Sequence, residues 1–195
     1  CAGYGLTETA NLSFANAETD KYPESMGKPY PEQEYKVVDG ELWLKGDNLM
    51  LGYYKEPELN AKVFEDGWFK TGDLVEFDEK GYIYITGRIK NLIILGNGEN
   101  VSPEEIEELF YKNSFVKDCL VSEMEKNGQG VIGIEILPYA PETAGMSDEE
   151  IRTKLQTIVD EVNSNLPPYK RVLKLVVRAE DFKKTGALKI DRNQN

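Results

Sequence analysis

The chain of 195 residues contains no histidine. Without an imidazole there is no Ser-His-Asp or Cys-His nucleophile, and most zinc sites lose their commonest nitrogen ligand. Cysteine is nearly absent too. Cys1 and Cys119 are too few for a disulfide framework, so a reducing cytoplasm is the expected setting. No apolar run approaches the length of a membrane-spanning helix. Positive charge is in deficit, 23 Lys and Arg against 35 Asp and Glu, and the net −12 argues against general binding to nucleic acid or to anionic membranes.

What remains is ordinary globular composition, 40% hydrophobic and 30% charged, in a chain long enough for one sizeable domain or two small ones. The charge is uneven. Residues 165–195 hold Lys170, Arg171, Lys174, Arg178, Lys183, Lys184, Lys189 and Arg192 against Glu180, Asp181 and Asp191. A solvated basic face is the ordinary reading; a lobe presenting cations to an anionic small molecule is the sharper one.

Local patterns divide the chain. "YKVVDGELWL" (35–44) alternates around Asp39-Gly40, which supplies the positive backbone angles of a two-residue hairpin. "PELNAKVF" (57–64) has the look of one or two helical turns, and "LVEFDEKGYIYITG" (74–87) of a second hairpin bending at Gly81. Beyond residue 88 the character changes. "NLIIL" (91–95) is a candidate buried strand, followed by a helix with Ser102 as N-cap, Pro103 in its first position and Glu105 completing a capping box. Residues 115–124, 131–137 and 171–177 read as strands. A second helix starts at Ser147, capped with Glu150, and carries Ile151, Leu155, Ile158, Val159 and Val162 on one stripe. The expected class is α+β: a small antiparallel β-subdomain over 1–87, then a C-terminal α+β lobe over 88–195 with two main helices on a short sheet. The boundary is expected at about Gly87–Lys90.

Three stretches combine glycines, hydroxyls and charges beyond what packing requires. In Gly3-Tyr4-Gly5-Leu6-Thr7-Glu8-Thr9, glycines let backbone amides approach a phosphate, a hydroxyl donates to it, a carboxylate suits Mg²⁺, and a tyrosine offers a face to a base. The alternative is a strand-ending turn whose Thr and Glu cap a helix. In Gly67-Trp68-Phe69-Lys70-Thr71-Gly72-Asp73, the terminal carboxylate suits the two hydroxyls of a ribose, or is simply an Asp in a turn. "TGRIKNLIILGNGENVSPEEIEE" (86–108) places Arg88 and Lys90 at the proposed boundary and Gly96 and Gly98 in a tight loop before a capped helix, equally the pattern of a linker and a βα turn.

Taken together, their order and spacing resemble the adenylate-forming superfamily of acyl-CoA synthetases, peptide-synthetase adenylation domains and luciferases. Tyr4-Gly5-Leu6-Thr7-Glu8 resembles its Y-G-x-T-E motif, Lys70-Thr71-Gly72-Asp73 its [YF]-[RK]-T-G-D, and Gly87-Arg88-Ile89-Lys90 its G-R-x-[DK] hinge. Thr185-Gly186-Ala187-Leu188-Lys189-Ile190-Asp191-Arg192 resembles its last, lysine-bearing motif. "LGNGENVSPEEIE", "LPPYKR" and "TGALKIDR" are more similar to long-chain acyl-CoA ligases than to adenylation domains that load a carrier protein. Glu32 after Pro31 departs from a frequent Pro-Gly, in a turn that bears no ligand.

The resemblance implies roles. Tyr4 lies against adenine, Gly5 belongs to the same nucleotide loop, Thr7 contacts the α-phosphate, and Glu8 binds Mg²⁺. Asp73 and Arg88 hold the ribose, and Lys189 bridges the carboxylate substrate and the phosphate. Lys90 is the hinge about which the C-terminal lobe turns, and Gly96, Asn97, Gly98 and Glu99 line the route of a thiol acceptor. The implied substrates and cofactors are ATP, Mg²⁺, coenzyme A and a fatty acid. The chemistry agrees with this set, because joining a carboxylate to a phosphate requires mobile cations to screen two anions. The family's S-[SG]-G-[ST]-T-G-x-P-K-G phosphate loop is nowhere in the sequence. The chain is therefore expected to be the C-terminal part of a longer enzyme, inactive alone, with Tyr4, Thr7 and Glu8 lacking a fixed place because the strand leading into them is left behind. The alternative is a free-standing nucleotide-binding or interaction module that keeps the sites without turnover.

Overall fold

The computed structural model describes residues 2–96, 98–186 and 189–194. The chain divides into two compact units, Cys1–Lys90 and Asn91–Asn195.

The first unit is β-rich. Strands β1 (Ala2–Gly5), β2 (Leu12–Asn16) and β3 (Lys28–Pro29) form an antiparallel three-stranded sheet. Strands β4 (Glu34–Val38) and β5 (Glu41–Lys45), helix α1 (Pro57–Val63), and strands β6 (Phe64–Glu65), β7 (Trp68–Phe77) and β8 (Ile83–Arg88) follow. The strands among them make a five-stranded sheet in the order β4-β5-β7-β6, with β8 also paired to β7. Asp39 and Gly40 take φ of 50° and 82°, the geometry of the two-residue turn their identities demand. Tyr4 and Phe14 from the first sheet pack with Leu42, Leu44, Val75 and Ile83 from the second. Tyr4, Thr7 and Glu8, expected to lack a fixed place, lie in β1 and in the 3-10 turn Thr7–Thr9 that follows it. Strand β1 is held by its antiparallel pairing with β2, and Tyr4 is 5% exposed.

The second unit begins with β9 (Ile93–Ile94) and β10 (Asn100–Val101), paired as a two-stranded ribbon, and continues into α2 (Pro103–Tyr111). Strands β11 (Val116–Lys126) and β12 (Gln129–Pro138) form a long hairpin; after α3 (Asp148–Ser164), β13 (Lys174–Val177) adds to β12 in parallel. Ile106 and Phe110 of α2 and Leu155, Ile158 and Val159 of α3 pack on Cys119, Val121, Ile132, Ile134 and Ile136. Leu120 and Leu137 are covered by Phe182 from the C-terminal segment. The class is α+β, with two main helices on a short sheet.

Two local expectations change. Ser147 and Glu150 do form the reciprocal capping box of α3, but Glu105 does not complete one in α2. Its carboxylate faces Lys170, whose Nζ lies 2.7 and 2.8 Å from the two oxygens, and Ser102 instead donates to Glu104. A full positive charge outbids a backbone N–H for the same carboxylate. The stretch 91–95 is a two-residue strand with one covered side: Ile93 is buried and Ile94 is 68% exposed.

Among the described residues, strand β11 pairs with β12 along one side only. On its other side, the Tyr111 hydroxyl donates to the Cys119 carbonyl and accepts from the Cys119 N–H. Two residues on, the Val121 N–H donates to Glu107 Oε1 at 2.6 Å and the Val121 carbonyl accepts from Arg192 Nη1 at 3.0 Å. Glu107 and Tyr111 lie four apart on α2, so one helix face presents both.

Candidate functional site

The Thr71-Gly72-Asp73 stretch interrupts a regular strand. Trp43 pairs with Lys70 but Glu41 pairs with Leu74, so β7 carries extra residues between these two points. Gly72 absorbs the bulge with φ 72°, a conformation that side chains disfavour. Polar groups displaced from the ladder find side-chain partners. Thr71 donates to the Leu42 carbonyl and accepts from the Asp73 N–H, and the Gly72 N–H donates to Glu41.

The bulge turns Asp73 inward, where it is 1% exposed. The Tyr4 hydroxyl donates to its Oδ2 at 2.7 Å. Arg88, opposite Asp73 in the β7–β8 register, places Nε 2.9 Å from Oδ1. That contact is an ion pair out of line for a hydrogen bond, and Oδ1 accepts none. Burial, reinforced by the neighbouring Asp73 charge, pushes the Tyr4 hydroxyl far above the ordinary tyrosine range, so it stays a donor. One oxygen of this buried carboxylate, Oδ1, thus accepts no hydrogen bond among the described residues and faces a guanidinium whose side chain is 43% exposed.

This arrangement corrects the reading of Tyr4 as an open face for a base. Its ring lies edge-on to Phe14 in the core, leaving only the hydroxyl to act, and that acts on Asp73. Gly5 is a close-approach glycine, since a Cβ there would stand 2.6 Å from the Asn11 carbonyl oxygen. Thr7 opens a 3-10 turn, Thr7–Thr9, and is exposed. The buried hydroxyl of the turn belongs to Thr9, which accepts from the Leu6 N–H. Glu8 accepts from the Tyr53 hydroxyl at 2.7 Å through Oε1. Burial and Glu8 raise that hydroxyl to about 12. Tyr53, absent from the sequence reading, is therefore what orients Glu8.

Among the described residues no group of three metal-ligating side chains assembles. Magnesium is usually held by one or two carboxylates together with substrate phosphates and water. Glu8, with one oxygen engaged by Tyr53, has the right chemistry for that single carboxylate.

In the second unit, Lys189 is exposed on a short loop. Lys184 and Ile190 bridge its two limbs, the Thr185 N–H donates to the Lys189 carbonyl at 2.7 Å, and the Asp191 N–H to the Lys183 carbonyl at 2.9 Å. The basic segment is mostly consumed by structure. Lys170 pairs with Glu105, Arg178 with Glu135, Lys184 with Asp118 and Arg192 with Glu107, while Arg171 and Lys174 donate to backbone carbonyls. Lys189 makes no ion pair among the described residues.

Gly96, Gly98 and Glu99 lie in the loop joining β9 to β10, closed by Gly98 N–H to Leu95 C=O at 2.8 Å and Leu95 N–H to Glu99 C=O at 3.0 Å. Gly98 has φ 85°. Asn97, Ala187 and Leu188 lie outside the described residues. Lys90 is exposed in a 3-10 turn, Ile89–Asn91, within which the chain passes from the first unit to the second. Tyr4, Asp73 and Arg88 are brought together, while Glu8 meets Tyr53 instead. Lys189 and the 96–99 loop belong to the second unit.

Sequence reasoning also missed Glu107. Its Oε2 is 2.6 Å from Arg192 Nη2, and the residue is 8% exposed. Burial pushes its carboxyl up to about 7 against the pull of Arg192, with Glu104 adding to the rise and the Val121 N–H opposing it. The folded chain then holds this proton more tightly than the unfolded one, whose carboxyl titrates near 4.5. Through this group, stability falls as pH rises from about 4.5 to about 7. Urea unfolding at stepped pH is expected to show that fall in the wild type and to lose it in Glu107→Gln; equal slopes would contradict the assignment.

The model for the AMP-binding enzyme C-terminal domain matches residues 90–194, and that for AMP-binding enzymes matches residues 1–54. The chain is 39% identical over 128 residues to a long-chain-fatty-acid–CoA ligase of Salmonella typhimurium, covering 60% of this chain and 23% of that protein. It is 32% identical to the long-chain-fatty-acid–CoA ligase FadD15 of Mycobacterium bovis, over 97% of this chain and 32% of that one. The chain therefore spans about a third or less of these relatives. O-succinylbenzoate coenzyme A synthetase of Bacillus subtilis, solved with ATP and magnesium, superposes at a TM-score of 0.79 with 31% identity, over 99% of this chain and 40% of that one. A buried carboxylate–guanidinium pair on a bulged strand, a lysine loop on an α+β unit, and family matches across both units lead to one conclusion: the chain belongs to the adenylate-forming, AMP-binding enzyme family.

Proposed function

We propose that this chain supplies the ribose-holding and lysine-bearing parts of an ATP-dependent acid–CoA ligase, and that its acid is a long-chain fatty acid. The observation that carries the reading is Asp73. Its carboxylate is 1% exposed, with the Tyr4 hydroxyl donating to one oxygen and only an out-of-line ion pair with Arg88 on the other. It thus keeps acceptor capacity that a ligand hydroxyl would complete once that oxygen is uncovered. A ribose offers two such hydroxyls. Arg88, partly exposed beside it, adds the donor for the sugar's other oxygens.

The remaining roles follow the charge flow of the reaction. The acid's carboxylate attacks the α-phosphorus, a mixed anhydride forms, and pyrophosphate leaves. Thr7, exposed at the turn, contacts the α-phosphate, and Glu8 would hold Mg²⁺, whose charge would offset that of the phosphates. Lys189, exposed and unpaired among the described residues, bridges the acid and the phosphate. Turning about Lys90 then withdraws Lys189 and brings the Gly96–Glu99 loop to the acyl-adenylate, where the CoA thiol displaces AMP. Partners are thus ATP and AMP, the acid, CoA, and a large N-terminal lobe of the same polypeptide carrying the phosphate loop and acyl pocket. The setting is cytoplasmic; no described helix is long and apolar enough to cross a membrane.

The two ligases of highest similarity described above favour the long-chain choice, whereas the Bacillus subtilis synthetase is named for an aryl acid. The test is a panel of acids of different chain length, including aryl acids, given to the full-length enzyme with ATP and CoA. Thioester formation rising with chain length is the expected result. Selective use of aryl acids would overturn the substrate assignment, and adenylation without any CoA thioester would point to loading of a carrier protein instead. The 195 residues alone are expected to catalyse no ATP–pyrophosphate exchange.

A further inference from the structure

The loop carrying Lys189 has two limbs, and each is tied to the body of the second unit by a different device. The incoming limb is held by Phe182, packed on Leu120 and Leu137, and by Lys184 at 2.9 Å from Asp118. The outgoing limb is tied three residues after Lys189. There Arg192 reaches across to place Nη2 2.6 Å from Glu107 on α2 and Nη1 3.0 Å from the Val121 carbonyl on β11. Glu107 closes the ring by accepting from the Val121 N–H at 2.6 Å. Carboxylate, guanidinium and one peptide unit thus form a three-cornered lock.

We infer that Arg192 and Glu107 are positioning residues for Lys189: their lock on Val121 fixes the outgoing limb and so holds the exposed amine where the reaction needs it. The inference rests on the role proposed for Lys189.

Two features separate the lock from ordinary packing. First, an ion pair as buried as this one is weak evidence for stability, because apolar side chains of similar volume often serve a fold as well. What an apolar contact cannot give is a fixed register, whereas a bidentate guanidinium between two acceptors allows one geometry. Second, α2 begins directly after the 93–101 ribbon, so the helix that holds the lysine loop through Glu107 also carries the Gly96–Glu99 loop at its start. The two segments proposed to serve the two half-reactions are thereby fixed to one rigid element.

The test uses full-length enzyme, with ATP–pyrophosphate exchange as one readout and thioester formation from supplied acyl-adenylate as the other. A misplacement of about 1 Å costs up to 10²-fold in rate, so Arg192→Ala is expected to lower exchange by about 10–100-fold and thioester formation far less. Arg192→Lys keeps the charge but not the fork; it is expected to fall between, which covers the case that the alanine variant does not fold. Glu107→Gln should follow the same split. In combination with Lys189→Ala, Arg192→Ala is expected to add little, because a misplaced amine and an absent one are equivalent. Equal losses in both half-reactions, or full additivity with Lys189→Ala, would overturn the inference and leave the role of Lys189 standing. Unimpaired exchange in Lys189→Ala alone would instead remove that role, and the inference with it.

Discussion

Lys189→Ala is expected to lower adenylation by about 10²–10³-fold, the usual cost of removing one preorganised charge from the point where transition-state charge develops. The effect should be confined to that half-reaction. As the acid's carboxylate closes on the α-phosphate, two anions are forced together, and the amine is worth most at that moment and little before it. The loss should therefore appear in kcat for ATP–pyrophosphate exchange more than in KM for ATP. Thioester formation from supplied acyl-adenylate involves no such encounter and should retain most of its rate. The structure gives the residue the required properties: it is exposed, its loop is tied at both limbs, and neighbouring cations in the same segment are already committed to carboxylates or carbonyls. Losses of equal size in both half-reactions would contradict the role.

Asp73→Ala should act on two links at once. Removing the carboxylate strands the Tyr4 hydroxyl in the core, and leaves Arg88 without its charge partner. An unsatisfied buried donor plus a lost charged hydrogen bond costs about 3 kcal/mol, discounted below the cost of a fully buried broken pair because Arg88 is partly exposed. Urea unfolding of the first unit measures this. The same change deletes the acceptor proposed for ribose, so the dissociation constant for AMP in the full-length enzyme is expected to rise by about 10–100-fold. Asp73→Asn separates the two effects. It keeps an oxygen for Tyr4 and so recovers stability, yet it weakens the ion pair with Arg88 and replaces one acceptor with a donor. A stable Asp73→Asn enzyme with unchanged AMP affinity would sink the ribose assignment while leaving the structural one intact.

Much of the fold was legible because it rests on local chemistry. Asp39-Gly40 names its turn, Ser147 with Glu150 names a helix start, and the apolar stripe of α3 names its buried face. The Asn127-Gly128 turn joining β11 to β12 was equally readable, with φ of 55° and 78°, and escaped notice between the two strands it connects. What failed did so where distant residues compete. Glu105 has the right spacing for a capping box, but spacing does not reveal that Lys170, 65 residues on, arrives at the same carboxylate. Tyr4 has the right motif for a base-facing ring, but β1 turns its even position toward Phe14 and its glycines outward. Tyr53 and Glu107 carry no motif at all. Their roles come from what folding sets beside them, Glu8 in one case and Arg192 in the other. At the candidate site, motif spacing proposes the residues, and the bulge at Gly72 explains how Asp73 comes to point inward.

The bare side of β11 has a consequence for the chain's behaviour in company. A strand with unpaired N–H and C=O groups is a template on which a second molecule can add its own strand, the first step of edge-to-edge aggregation. Here the template is blanked at Cys119 by Tyr111 and at Val121 by Glu107 and Arg192, side chains imitating the strand that is not there. The guard over this solubility liability is thus, at Val121, the same arginine that ends the lysine loop. Drift at position 192 would be punished twice, once in turnover and once in the test tube as precipitate.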